Sequence, residues 1–142
     1  MIRRLDHVGV AVADTERALE YFCGRLGLSV VASDVVEKPH VRLTYLDAGN
    51  AYIQLVEPLD RDSPIAAHVA EHGEGIHHVC FGVDDVEAAA GQLADSGKVS
   101  LGGGRGRLSA FVPGPRHHGV SVECTEFNLE EDVHGNRGWL DG

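Results

Sequence analysis

At 142 residues the chain has the size of one domain and is long enough to bury a core without disulfides or a structural metal. Its net charge of −10 argues against a general nucleic-acid binder or a ligand of anionic membranes, which are held by positive fields, so an anionic substrate must meet a local basic patch. Eighteen glycines without a collagen-like period imply many turns between short strands, and Cys23, Cys80 and Cys124, each in an apolar periodic segment, read as buried free thiols. Met1 to Leu5 is basic but enters a strand pattern directly, with no signal-peptide character, and no stretch reaches membrane-spanning length; a cytoplasmic location is expected.

Residues 2 to 12 alternate as a strand. Asp14 offers an N-cap to a helix in which Ala18, Leu19, Phe22 and Leu26 share a face before Gly27 ends it. Leu28 to Val36, Val41 to Asp47 and Ala51 to Glu57 are β-rich, with Gly49-Asn50 marking a hairpin between the last two. Pro64 opens a short helix carrying Ile65, Ala66, Val69 and Ala70. The pattern then restarts: strand Ile76 to Val83, helix Asp85 to Ala94, and strands Lys98 to Leu101, Leu108 to Val112 and Val120 to Thr125. Two glycine-rich loops, 102–107 and 113–119, lie between these strands.

The halves superpose. His7 falls on His78 and Asp14 on Asp85 at an offset of 71, and Gln54 falls on Glu123 at an offset of 69, a difference the size of a small loop indel. The chain is therefore read as α+β, one domain over 1–126 made of two tandem βαβββ modules, 1–58 and 74–126, joined by a connector at 59–73. The tail, 127–142, has no counterpart in the first half and is expected to fray, the alternative being that it covers a subunit surface or the cleft with Trp139 as anchor.

His7, Gln54, His78 and Glu123 each interrupt an apolar strand at repeat-equivalent positions. A polar group buried in a strand is costly unless it is satisfied. A lone strand histidine is usually a hydrogen-bonded core residue, but two at matched places, each with a matched polar partner, point to a divalent metal with open coordination positions. Strand alternation places Cys80 on the face of His78, with His77 and Val79 pointing away, and Ser121 and Thr125 on the face of Glu123.

The runs Asp6 to Val12, Gln54 to Leu59, Asp62 to Ala66, Gly73 to Val79 and Gly119 to Glu123 resemble the vicinal oxygen chelate superfamily, and within it the methylmalonyl-CoA epimerase family, over about residues 4 to 125. The resemblance implies paired modules curled into a cleft around one metal ion held by His7, Gln54, His78 and Glu123. It further implies an acyl-CoA thioester substrate, proton abstraction α to the thioester, and a homodimer. Cobalt is the first expectation for the metal, with manganese, nickel, zinc and iron accepted by the same ligands. Glu123 is the candidate for one of the two acid–base groups that epimerisation needs. Some family members carry the other on the third strand, where this chain has Leu43; Glu37 or His40, in the turn before it, are the remaining candidates, against the plainer reading of a solvated turn.

Arg105 and Arg107, with Arg116 beyond, form the most cationic feature of the second half and are candidates to hold CoA phosphates, a flexible surface turn being the alternative. Other readings are a glyoxalase-I-like or tailoring enzyme on the same scaffold, a metal-free small-molecule-binding protein of the antibiotic-sequestering type, and a ring-cleaving dioxygenase, which has no need of Gln54.

Overall fold

The computed structural model describes residues 1–94 and 97–134. Seven strands form one sheet: β1 (Ile2–Ala11), β2 (Ser29–Glu37), β3 (His40–Asp47), β4 (Tyr52–Pro58), β5 (Gly75–Val83), β6 (Ser109–Phe111) and β7 (Ser121–Glu126). Among the described residues four helices accompany them: α1 (Thr15–Phe22), α2 (Pro64–His72), α3 (Val86–Leu93) and α4 (Leu129–His134). Across the sheet the strands run β2-β3-β4-β1-β5-β7-β6. The centre is an antiparallel pair, β1 against β5, and each of these pairs in parallel with the last strand of its own half, β1 with β4 and β5 with β7. The repeat seen in the sequence thus becomes an approximate two-fold relation about the β1–β5 seam. Among the described residues no helix is long and apolar enough to cross a membrane.

Local chemistry explains the elements. Asp14 accepts a hydrogen bond from the Arg17 amide at the start of α1, and Asp85 accepts one from the Ala88 amide at the start of α3, so each half opens its helix with the same cap. Ser63 does this for α2, with Pro64 in the first turn. On the convex face α1 packs Ala18, Leu19 and Phe22 on Val12, Leu46 and Leu55, and α3 packs Val86, Ala89 and Ala90 on Val83, Ala110 and Cys124. Leu46 and Leu55 are fully buried, a contribution of about 1.5–3 kcal/mol each. On the concave face α2 places Ile65 against Ala11, Val41, Leu43, Tyr45, Tyr52 and Val56. That face carries the polar cluster.

Three expectations are corrected. The first helix stops at Phe22 instead of reaching Leu26, because the chain turns from Cys23 to Gly27, where Gly27 takes a positive φ. The strand expected over Lys98 to Leu101 does not form; Gly102 makes an isolated bridge to Ser109, and the glycines that follow turn into the cleft. The start of the tail is not frayed: Phe127 lies under the Arg3 guanidinium, and α4 buries Asp132 completely. Trp139 lies outside the described residues.

The loop before β6 reaches across to the opposite edge strand, where the Arg105 amide donates to the Asp34 carboxylate of β2 at 2.6 Å. A β-carbon on Gly104 would lie 2.8 Å from the Tyr45 hydroxyl and 2.9 Å from Leu43, so only glycine permits this approach. The two edges of the sheet therefore come together over a curled concave face.

Candidate metal centre

The four matched residues lie on two adjacent rows of the sheet. One row runs Gln54, Gly9, His78 across β4, β1 and β5; the next runs His7, Cys80, Glu123 across β1, β5 and β7. The approximate two-fold exchanges the rows, placing Cys80 where Gly9 stands in the other. All four side chains belong to buried residues. His7 Nε2 and His78 Nε2 are 3.2 Å apart, and Glu123 Oε1 lies 3.2 Å from the first and 3.3 Å from the second. Ligand atoms of these three residues all fall within 4.8 Å of one another.

The donor chemistry fits a cation. Gln54 Oε1 and Glu123 Oε1 are buried with no aligned hydrogen-bond donor, a costly state for acceptor oxygens unless something positive satisfies them. Gln54 Nε2 donates to the Tyr45 hydroxyl at 2.9 Å, which leaves the amide oxygen for the cluster. Gly9 keeps the space open: a β-carbon there would sit 2.1 Å from His78 Cε1. Two imidazoles, an amide oxygen and a carboxylate suit a borderline divalent ion such as cobalt, manganese, nickel, zinc or iron. A second triplet, Asp6, His7 and Cys80, is equally compact. Asp6, however, is engaged by His7 and Arg105, and burial, with Glu123 and Asp6 nearby, pushes the Cys80 thiol well up and keeps it neutral.

The electrostatics are those of a tightly coupled cluster. Burial alone would raise Glu123, but the His7 and His78 imidazoles hold its carboxyl well below the usual range. Burial would lower His7; Asp6 and Glu123 outweigh it and the net shift is upward. His78 goes down, burial outweighing the pull of the nearby Glu123 carboxylate. The Tyr45 phenol is pushed up to about 12, chiefly by burial, and is a neutral hydroxyl beside Gln54.

Each candidate ligand histidine is held at its far nitrogen. His7 Nδ1 lies 2.6 Å from Asp6 Oδ2, and His78 Nδ1 lies 2.9 Å from His77 Nδ1. The expectation that His77 points away is corrected, since its ring stands beside that of His78. The remaining sequence candidates are distributed differently. Glu37 ends β2 with its side chain 80% exposed and 4.0 Å from His40; the β2–β3 turn keeps it in solvent, away from the cluster. Leu43 is buried and apolar on the concave face.

Arg105 and Arg107 are turned to the protein's own acids. Arg105 donates to Asp6 at 2.6 Å and lies over the Tyr45 ring, 4.4 Å from its centre. Arg107 is buried and donates to both oxygens of Asp132, at 3.0 and 2.9 Å, and to Glu131 at 2.7 Å. Neither is an open phosphate donor in this arrangement. Arg116 remains at the surface and ties the Gly119 and His77 carbonyls and Ser121 together. Sequence reasoning missed Asp6, Tyr45 and Asp132 as partners. Asp6 alone left a signal, a carboxylate directly before a ligand histidine.

Residues 6–110 match the family model for the Glyoxalase/Bleomycin resistance protein/Dioxygenase superfamily. The ethylmalonyl-CoA/methylmalonyl-CoA epimerase of Cereibacter sphaeroides is 36% identical over 111 residues, which cover 78% of this chain and 83% of that protein. The uncharacterized protein YqjC of Bacillus subtilis is 30% identical over 130 residues, covering 88% of this chain and 93% of that one. Among solved structures, a Streptomyces coelicolor methylmalonyl-CoA epimerase variant in complex with 2-nitronate-propionyl-CoA superposes with a TM-score of 0.77 at 31% identity, over 89% of this chain and 98% of that chain.

Proposed function

We propose, from the premise that this chain belongs to the Glyoxalase/Bleomycin resistance protein/Dioxygenase superfamily, that it is a metal-dependent epimerase of methylmalonyl-CoA or a similar 2-substituted acyl-CoA. The observation that carries the reading is the pair of buried, unsatisfied oxygens, Gln54 Oε1 and Glu123 Oε1, set with the Nε2 atoms of His7 and His78. The epimerase names of relatives at this level of identity supply the substrate class. His7, Gln54, His78 and Glu123 would hold the ion, and a divalent cation there supplies Lewis-acid stabilisation of negative charge developing on a carbonyl oxygen.

The chain's own groups do the rest. Glu123, kept anionic by its two imidazole neighbours, is placed to accept a proton from a carbon acid presented at the cluster. Burial of all four residues strengthens each charge interaction at the cluster, and Phe111 stands beside the His78 ring with 5.0 Å between ring centres. Among the cationic candidates Arg116, on the surface beside His77, is the one open to a phosphate of the CoA moiety. A homodimer and a cytoplasmic location belong to the same reading; the edge strand β2 exposes Val30, Val31 and Val35, which supports burial against a second copy.

The test is exchange of the α-hydrogen of methylmalonyl-CoA with solvent deuterium by cobalt-loaded protein. Exchange is expected, and Glu123→Gln is expected to slow it by roughly 100-fold or more. Protein that binds cobalt but exchanges no α-hydrogen overturns the epimerase. A second reading, another isomerase or lyase of this scaffold, is favoured by one observation: the concave face has apolar Leu43 where some members of the family carry a carboxylate. Metal binding without exchange on acyl-CoA substrates is the outcome that selects it.

A further inference from the structure

The register of the central strand pair shifts three times: once near its end, at Arg3, and once on either side of the metal cluster, where each shift falls on the residue just before a candidate ligand histidine. Pairing passes from Leu5–Phe81 to His7–Cys80, so the extra residue on β1 is Asp6. It passes from Gly9–His78 to Val10–Ile76, so the extra residue on β5 is His77. In a regular strand, neighbours point to opposite faces. A bulge breaks that alternation and re-aims one side chain. Here it brings the preceding residue to the far nitrogen of the ligand twice, at positions the approximate two-fold exchanges.

We infer that Asp6 and His77 are positioning residues, which accept the Nδ1 hydrogens of His7 and His78 and so commit both Nε2 atoms to the metal. The inference rests on the metal centre proposed above. The two supports differ in kind. Asp6 Oδ2 is shared between His7 Nδ1 and Arg105 Nη2, both at 2.6 Å, and Arg107 lies 3.6 Å from its other oxygen. Flanked by two guanidinium groups it is an anion, and an anionic carboxylate can only accept, so the hydrogen sits on His7 Nδ1. His77 offers an imidazole nitrogen and stands between the rings of His78 and His68, so its support lacks the carboxylate that Asp6 brings. A second consequence is that Asp6 links the metal site to the loop carrying Arg105 and Arg107, and through Arg107 to Asp132 of α4.

Partners of this kind change metal affinity by roughly 10- to 100-fold when removed. Cobalt(II) binding, measured by competition with a chromogenic chelator, is expected to weaken by about that factor in Asp6→Ala and by a smaller factor, about 3- to 10-fold, in His77→Phe. Asp6→Asn and His77→Gln, which keep an acceptor, are expected to recover part of the loss. Because Asp6 also neutralises two arginines, its variants are checked for folding, and the His77 pair carries the test if they fail. Independently of any metal, two-bond proton–nitrogen correlation on the wild-type protein, recorded at a pH where each ring carries a single hydrogen, is expected to show both His7 and His78 with that hydrogen on Nδ1. An Nε2 hydrogen on either ring, or folded His77→Phe protein that binds cobalt within about twofold of wild type, overturns the inference. If wild-type protein binds no cobalt, the metal centre itself falls, and the tautomers alone decide whether these two residues set the rings.

Discussion

Gly9 shows how little room the cluster leaves. It lies in one row with Gln54 and His78, and a β-carbon would be 2.1 Å from the His78 ring, nearer than any real contact. Gly9→Ala is therefore expected to push that ring aside, cost about 1–3 kcal/mol of stability through overpacking, and weaken cobalt binding by roughly tenfold or more. Circular dichroism reports whether the fold survives, and chelator competition reads the affinity. Unchanged affinity in a folded Gly9→Ala protein means that the His78 ring has freedom its packing denies. The four candidate ligands were legible in the sequence because polar residues interrupting apolar strands at one repeat offset are visible in one dimension. Asp6 and His77 as supports were not, since strand alternation assigns neighbours to opposite faces and only the bulges cancel that.

Among the elements, the repeated helix caps are the simplest case. Asp14→Ala and Asp85→Ala each remove one accepted amide bond and are expected to cost about 1 kcal/mol in urea denaturation, in nearly additive fashion because the sites are far apart. The tail helix is a larger effect. Arg107→Ala takes the guanidinium from Asp132, which is fully buried and keeps the Asn128 amide, and a loss of about 3–5 kcal/mol is expected from breaking a buried ion pair. Arg107→Ala combined with Asp132→Ala is expected to recover much of that loss, and equal stability of the single and double variants contradicts the pairing. Such a contact is invisible beforehand. Arg107 read as a cation available to phosphate, and Asp132 as one acid in an acidic tail, because residues 25 apart carry no local signal of pairing.

For the whole molecule, a metal held by the four candidate ligands would touch both halves across the β1–β5 seam, and its binding free energy would add to folding stability. At a free cobalt concentration about 100 times Kd the gain is about 2.7 kcal/mol, and Tm is expected to rise with cobalt and fall when a chelator removes it. His78→Ala is expected to abolish that dependence, and a cobalt-induced rise that survives the substitution places the ion elsewhere. The repeat, the capped helices, the α+β class and the strands of the sheet were determined by the sequence itself, because hydropathy period, caps and turn residues act over a few neighbours. Tertiary structure decided what those signals cannot carry. It turned Arg105 and Arg107 onto Asp6 and Asp132, left Glu37 in solvent, dissolved the strand before Gly102 into a loop that enters the cleft, and brought Asp6 and His77 behind the two candidate ligand histidines. The physical reason is common to all four: where a charged side chain finds its partner, and where a strand gains an extra residue, depends on which distant segments the curled sheet brings together.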